Sequence, residues 1–251
     1  FRDGFEVAGD DILLEMINRS IVPGLKRALA EVGVADPDAL LSRLIGTDPL
    51  DVQESVQRQQ LALQVLYPAG LSVQRAYETY DPLVASEGQQ KTLGELVAAS
   101  SVNVPTPKLL GWVSEGVKEA TDGAVSLFDL LAVPVPLDLA RLHRMFLDDQ
   151  LELVRAVKSL CEIVHLYDCD VLLLTGRPSR LPGVQQLFRT LLALPPDRIL
   201  PMQDYRTGAW YPFNRRGRIK DPKTTAAVGA MLCLLGQGRL PNFFFRANAF
   251  R

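Results

Sequence analysis

Apolar residues recur at helical spacing over much of the N-terminal half and predict a helix-rich segment. After a short predicted strand that ends at the Gly9 turn, Asp10 or Asp11 is placed to cap a helix. Pro23 and Gly24 should kink or break it, because proline lacks the backbone donor that the helix needs. The apolar positions of this helix are Ile12, Leu13, Met16, Ile17, Ile21, Leu25, Leu29 and Val32.

The pattern is less regular further along the chain. A second helix is predicted from Asp51 and should stop near Pro68 to Gly70. Residues 71–111 are rich in Gly, Pro, Ser and Asn, which favours short strands and loops. Residues 124–146 then have the pattern of a strand, a turn and a helix.

From residue 150 onward, helical and strand patterns alternate as in an α/β protein. An amphipathic helix is predicted over 150–166, followed by the strand "DVLLLT" and a Gly176 loop. A helix, the strand "RILPM" and the aromatic and basic loop "WYPFNRRGRIK" come next. The last helix begins with Asp221 as cap and Pro222 in its first turn.

Composition excludes several classes of protein. The chain has 251 residues, of which 47% are hydrophobic and 22% charged, as in a globular protein with a substantial core. Its net charge of -2 argues against nucleic acid as a partner. No apolar run approaches the roughly 20 residues of a membrane span, and no signal peptide is visible. Because the chain starts without Met, we expect a segment of a longer protein. We expect a cytoplasmic location because the three cysteines fit free thiols.

The cysteines and histidines do not form a metal-binding pattern. Cys161, Cys169 and Cys233 are odd in number and contain no CxxC pair, which suggests free thiols in a reducing compartment. His143 and His165 lie on predicted helices, and surface or core positions fit them better than general-base roles.

Two stretches could bind a ligand. Residues 171–174 are apolar without alternation, as in a strand buried on both faces, and Gly176 follows with Ser179 able to donate a hydroxyl. A plain strand-to-helix turn is the alternative. The last helix carries Ala226, Ala227, Gly229 and Ala230, which permit either tight helix packing or room for a planar ligand.

Taken together, "LLLTGRPSRLPGVQQLF" and the later "DPKTTAAVGAML" resemble the adenosine-binding region of the actin, sugar-kinase and heat-shock-chaperone ATPases. The opening "GFEVAGDDILLEMI" is similar to the stretch that enters the inserted lobe of chaperone-type domains. More narrowly, "LTGRPSRLPGVQ", "WYPFN", "DPKTTAAVGAML" and "RLPNFFFR" resemble the C-terminal part of the SrfB virulence-factor family, bacterial proteins with an actin-like ATPase signature. The resemblance is weak between about residues 70 and 125.

The resemblance implies an α/β fold, the second lobe of an actin-like (ribonuclease H-like) ATPase. Residues 1–8 and 146–251 would form the core subdomain on the adenosine side, and 9–145 an inserted mixed α/β subdomain. ATP or ADP with Mg²⁺ would bind in the full-length protein, against the N-terminal lobe of the same protein. The implied nucleotide-binding residues are Gly176, Arg177, Pro178, Ser179, Arg180 and Gly229.

The chain also departs from the family pattern. It has no Asp-x-Gly phosphate loop, and Arg177 and Pro178 stand where the family often has a second Gly and Ser. The fragment alone is therefore expected to be inactive, with no catalytic or metal-binding residue of its own. A non-catalytic actin-like scaffold remains an alternative, and so does a protein-interaction domain that uses "WYPFNRRGRIK" to contact an unknown protein partner.

Other polar residues have simpler explanations. Asp10 and Asp11 could approach a metal-bound phosphate through water, but helix capping explains them as well. Asp168 and Asp170 fit solvated or capping carboxylates. "NRRGRIK" could touch phosphate or form a solvated basic loop. Trp210, Tyr211 and Phe213 fit core or interface packing better than a stacking platform.

Overall fold

The computed structural model describes residues 9–48, 51–84, 88–100, 104–148 and 151–236. The chain divides into two compact units, residues 1–148 and 149–251. The predicted division into a core (1–8 with 146–251) and an insertion (9–145) stays a prediction, because residues 1–8 lie outside the described residues. The predicted opening strand lies outside them as well, and so does "RLPNFFFR".

The first unit is mostly helical. Its elements are α1 (Gly9–Met16), α2 (Val22–Glu31), α3 (Pro37–Ile45), α4 (Val52–Leu61), α5 (Tyr67–Glu78), β1 (Gln89–Thr92), α6 (Leu93–Ser100), α7 (Pro107–Ala120), β2 (Pro134–Leu137) and α8 (Leu139–Leu147). Strands β1 and β2 pair antiparallel, with Gln89 opposite Leu137 and Thr92 opposite Pro134. The predicted strand, turn and helix near its end are confirmed by β2, by the Asp138 cap and by α8.

Two prolines lie inside long helical segments, where a break was expected. Helical structure continues through Pro68, so the prediction that the second helix stops there is wrong. It also continues through Pro23, so the predicted break is absent and a kink there stays a prediction. A π-helical turn precedes each proline, over Ile17–Ile21 and over Ala62–Leu66. Each proline is then the second residue of a new α-helical segment, where its missing N–H is tolerated.

Glycines beside these prolines allow close packing. A β-carbon on Gly24 would lie 2.8 Å from the carbonyl oxygen of Pro134. One on Gly70 would lie 2.7 Å from Cγ1 of Ile17. Both distances are shorter than van der Waals contact, so only glycine lets the neighbouring segments approach this far.

The prediction of short strands and loops over residues 71–111 is wrong for most of that stretch. Only β1 is a strand among its described residues, and α5, α6 and α7 account for most of the rest. A capping box starts α6, since Glu95 accepts from the Thr92 amide and Thr92 accepts from the Glu95 amide. Pro107 lies in the first turn of α7, a favoured position for proline at a helix start.

The second unit alternates helix and strand as predicted. Its elements are α9 (Glu152–Leu166), β3 (Leu172–Leu174), α10 (Pro182–Leu191), β4 (Ile199–Pro201), β5 (Asn214–Arg215), β6 (Arg218–Ile219) and α11 (Thr225–Leu235). Strands β3 and β4 pair in parallel, with Leu172 opposite Ile199 and Leu174 opposite Pro201. The chain is therefore mixed α/β and mostly helical, with small sheets in its described part.

The expectation that β3 is buried on both faces is wrong. Leu174 is 7% exposed, but Leu173 is 56% exposed and Val171 49%. The reason is that β3 pairs with β4 alone among the described residues, so its other edge has no strand partner there and its Leu173 side chain is left exposed. A continuous apolar run therefore does not by itself mean a strand that is covered on both sides.

Candidate functional site

Strand β3 leads into a tight turn at Gly176. Gly176 has φ 80° and ψ 168°, a backbone conformation open to glycine and almost no other residue. Arg177–Arg180 then form a single 3₁₀ turn, and α10 begins at Pro182. The predicted strand, glycine turn and helix are all present, and their geometry explains why glycine is required at this position.

Ser179 stabilises this turn from inside. Its side chain is buried, and its hydroxyl donates to the Gly176 carbonyl oxygen at 2.7 Å. Its own carbonyl oxygen accepts from Nε2 of Gln185 at 2.9 Å. The hydroxyl that was expected to face a ligand thus holds the turn closed. Arg177, Pro178 and Arg180 are half-buried around it.

The start of α11 is capped as predicted. The Asp221 side chain accepts from the backbone amide of Lys223 at 3.0 Å. Pro222 opens the 3₁₀ turn Pro222–Thr224, which leads directly into α11. This arrangement stabilises the start of α11.

The structure brings the Gly176 turn and the start of α11 together, although they are far apart in sequence. The Thr175 and Thr225 hydroxyl oxygens lie 2.5 Å apart. Each also lies within hydrogen-bonding distance of the Pro222 carbonyl oxygen, at 3.0 Å from Thr175 and 2.7 Å from Thr225. Sequence analysis paired the two stretches but missed both threonines, whose only signal was their place beside Gly176 and Pro222.

Helix α11 is apolar but largely uncovered. Val228 is buried in a small core with Tyr211 and Ile219, while Met231 is 43% and Leu234 is 67% exposed. A β-carbon on Gly229 would meet no described atom within 4 Å. Tight helix packing at Gly229 is thus absent from the described part of the chain, and open space lies there instead.

The remaining acidic and histidine candidates lie apart from this site. Asp10 and Asp11 lie in the first turn of α1, and Asp168 ends α9 with a left-handed φ of 48°. The His143 ring is buried, with Nδ1 2.9 Å from the Tyr77 hydroxyl, whereas His165 is exposed. The described residues contain no group of three His, Cys, Asp or Glu side chains that could hold a metal ion.

The three cysteines are free thiols in different surroundings. Cys161 is buried, Cys233 is half-buried and Cys169 is exposed. Burial of the Cys161 thiol, which disfavours its charged form, raises its pKa to about 11. Cys161 is therefore a packing residue of α9 rather than a reactive thiolate.

A polar groove in the first unit is lined by more acidic than basic side chains. It has a volume of about 500 Å³ and is lined by Arg43, Glu54, Trp112 and Glu119 among others. The Arg43 guanidinium donates to Glu119 at 2.8 Å and also pairs with Glu54. These carboxylates raise the pKa of Arg43, with Glu119 contributing most. The paired guanidinium leaves little positive potential for an anionic ligand.

The predicted loop "WYPFNRRGRIK" contains a β-hairpin. Strands β5 and β6 pair antiparallel around a two-residue turn at Arg216 and Gly217. Tyr211 is buried, in line with core packing, but Trp210 is 57% and Phe213 52% exposed. Core packing therefore explains only one of the three aromatic residues.

No helix in the described part of the chain is both long and apolar enough to cross a membrane.

Comparison with known proteins identifies one family. The model of the virulence factor SrfB family matches residues 1–251. No curated protein and no solved structure gives a match. Because the family model covers the whole chain, the chain belongs to the SrfB virulence factor family.

Proposed function

We propose that this chain forms the adenosine-binding side of an ATP or ADP site, in the second lobe of an actin-like ATPase fold. The observation that carries the proposal is the contact between the Gly176 turn and the start of α11. The Thr175 and Thr225 hydroxyls join them at 2.5 Å. These are the two stretches whose sequences resemble the adenosine-binding region of that superfamily.

The local geometry suits a flat ligand. The turn from Gly176 to Arg180 would pass under the adenosine, and its positive φ brings bare backbone to the surface. Gly229 would leave room for the ligand, since nothing described lies within 4 Å of its missing β-carbon. The apolar, exposed side of α11 offers the kind of surface on which a base packs.

The phosphates and Mg²⁺ would be held by residues outside this chain. Its sequence has no Asp-x-Gly loop, and the described residues offer no acidic cluster for a metal. In our proposal the N-terminal lobe of the same protein supplies them. Hydrolysis in the full-length protein would then depend on positioning and electrostatic stabilisation, and lobe closure would signal the nucleotide state to a protein partner.

In the proposed fold, β3 and β4 would be part of a larger sheet. In a larger core sheet, β3 would be covered by segments that lie outside the described residues. Leu173 and Val171 would then be exposed among the described residues alone. The actin-like arrangement thus accounts for an apolar strand that is incompletely covered.

Gly229→Leu tests the nucleotide site without threatening the fold. Leucine favours helix more than glycine and has open space at this position, so the variant should fold at least as stably. It would fill the proposed adenosine space. We expect calorimetry on the full-length protein to detect Mg-ADP binding, and the variant to weaken it at least about tenfold, or about 1.4 kcal/mol.

Gly111→Leu is the matched control. Gly111 also lies inside a helix, α7, with no described atom within 4 Å of an added β-carbon. This variant should bind Mg-ADP like the unmodified protein. Equal affinity in all three proteins, or no binding in any, would contradict the proposed site.

A non-catalytic scaffold is the second candidate. It would follow if the Asp-x-Gly loops expected outside this chain are absent from the full-length protein, as they are from this sequence. It predicts Mg-ADP binding that Gly229→Leu abolishes, together with no ATP turnover above background. Turnover that Gly229→Leu removes would instead establish the ATPase.

A further inference from the structure

The hairpin formed by β5 and β6 carries a concentration of arginines. From Arg206 to Lys220 the sequence contains five basic residues and no acidic one. Arg206, Arg215, Arg216 and Arg218 are all exposed, and together with Gly208 and Gly217 they line an open depression of about 620 Å³.

Three of these arginines form a row across adjacent strands. Arg215 is directly opposite Arg218 in the β5–β6 pair, and Arg206 forms an antiparallel bridge to Arg218 from the other side. Directly opposed residues of antiparallel strands place their side chains on the same face. The row is held by backbone bonds, since Thr207 and Gly208 both donate to the Gly217 carbonyl oxygen.

Arginines opposite each other in a sheet repel, a cost that nearby carboxylates reduce. No ion pair in the described part of the chain joins Arg206, Arg215 or Arg216 to a carboxylate. A partner's carboxylate bound at these three guanidinium groups would reduce that cost and form charge-assisted hydrogen bonds.

The turn of the hairpin carries a second local cost. Arg216 and Gly217 both have positive φ, 53° and 76°, as a type I′ turn requires. Asparagine or aspartate is favoured at the first of these positions, whereas arginine has no side-chain group that stabilises a left-handed backbone. Arg216 therefore carries its positive charge at a backbone position where asparagine or aspartate would be more favourable.

Exposed aromatic rings accompany the arginines. Tyr205, Trp210 and Phe213 are 48%, 57% and 52% exposed on the same segment. Arginine, tryptophan and tyrosine are the residues most enriched at the energetic centres of protein interfaces. Combined with the row of cations, they describe a surface for an acidic partner segment that also carries apolar side chains.

Charge separation along the chain points to a protein partner rather than a nucleic acid. The unit 149–251 has fifteen Lys and Arg against eight Asp and Glu, while the unit 1–148 has twelve against twenty-one. The whole chain carries a net charge of -2, which weakens long-range attraction for a polyphosphate. A short acidic polypeptide segment needs only the local field of the hairpin.

We propose that the arginine row Arg206–Arg218–Arg215, with Arg216 at the turn, is a docking surface for an acidic segment of a partner protein. The carboxylates of that segment would lie across the guanidinium groups, where charge-assisted hydrogen bonds form. The exposed rings of Trp210 and Phe213 would contact its apolar side chains. The evidence for this surface is the arginine row, and it does not depend on the proposed nucleotide site.

Arg216→Asn tests the proposal with a variant that suits the fold. Asn-Gly is a preferred type I′ pair, so the denaturation midpoint should stay equal or rise while the charge is lost. The probe is a fluorescein-labelled oligo-glutamate peptide, followed by fluorescence anisotropy at low ionic strength. We expect the unmodified protein to bind the peptide, added salt to weaken binding, and Arg216→Asn to lower affinity about fivefold.

Two further variants and one competitor complete the experiment. Arg215→Thr should weaken binding similarly, whereas the control Arg189→Gln, on an exposed helical position, should leave it unchanged. A single-stranded oligothymidylate of equal charge should compete poorly. The proposal is overturned if the peptide does not bind, if Arg216→Asn has no greater effect than Arg189→Gln, or if the oligonucleotide binds more tightly than the peptide.

Discussion

At the scale of single residues, the surroundings of a side chain decide its chemistry more than its type does. Ser179 looked like a ligand-binding hydroxyl from its place beside Gly176, yet it donates to the Gly176 carbonyl oxygen and holds the turn. Asp221 was predicted as a helix cap and is one, because a cap depends only on residues a few positions away. The roles of Thr175 and Thr225 could not be predicted, since their contact spans fifty residues.

The cysteines give a prediction at this scale. Because burial raises the pKa of Cys161 to about 11, its thiol should stay protonated and slow to react at pH 8. Cys169 is exposed and should be alkylated first. Timed iodoacetamide labelling followed by peptide mass spectrometry measures both rates, and Cys169→Ser should remove the fast phase. Equal labelling of Cys161 and Cys169 in the folded protein would contradict this order.

The same pKa shift has a consequence for stability. Below the ordinary thiol pKa of 9.0, Cys161 is protonated in both the folded and the unfolded protein. Between pH 9 and 11 the unfolded state releases its proton first, so the free energy of unfolding should fall as pH rises through this window. Urea denaturation at several pH values, compared with Cys161→Ala, measures this loss. A Cys161→Ala variant with the same pH dependence would show that another group is responsible.

At the scale of secondary-structure elements, regular patterns were predictable and departures from them were not. Apolar spacing alone predicted helices α9 and α10, and both are present. The π-helical turns at Ile17–Ile21 and Ala62–Leu66 have no signal in that spacing, and they allow Pro23 and Pro68 to stay within helical segments. Proline at the start of α7 was mistaken for a loop signal, because the same residue both opens helices and interrupts them.

The crowded glycines give a prediction for these elements. Gly24→Ala should destabilise the protein by about 1–3 kcal/mol, because its β-carbon would lie 2.8 Å from the backbone oxygen of Pro134. Gly111→Ala, on the open side of α7, should stabilise it by about 0.5–1 kcal/mol through helix propensity. Urea denaturation of both variants measures the contrast. Two changes of the same sign would mean that β2 does not pack against α2 as closely as described.

At the scale of the whole molecule, the sequence predicted the mixed α/β class and the chain order of the elements in the second unit. It did not predict the extent of the sheets, because a run such as Val171–Leu174 is compatible with any number of neighbouring strands. It paired the Gly176 turn with the start of α11 through family resemblance, and the hydrogen bonds at Thr175 now give that pairing a physical basis. The sequence offered "WYPFNRRGRIK" as a possible contact surface, but it could not predict the arginine row, since strand register alone places Arg206, Arg215 and Arg218 side by side.

Hydrogen–deuterium exchange of the full-length protein with and without Mg-ADP tests the central claim most directly, because it locates binding as well as detecting it. We expect slower exchange of backbone amides over residues 172–181 and 222–236, with little change in α3 and α7. Gly229→Leu should remove that protection. Protection confined to other segments, or none at saturating Mg-ADP, would contradict an adenosine site formed by the Gly176 turn and α11.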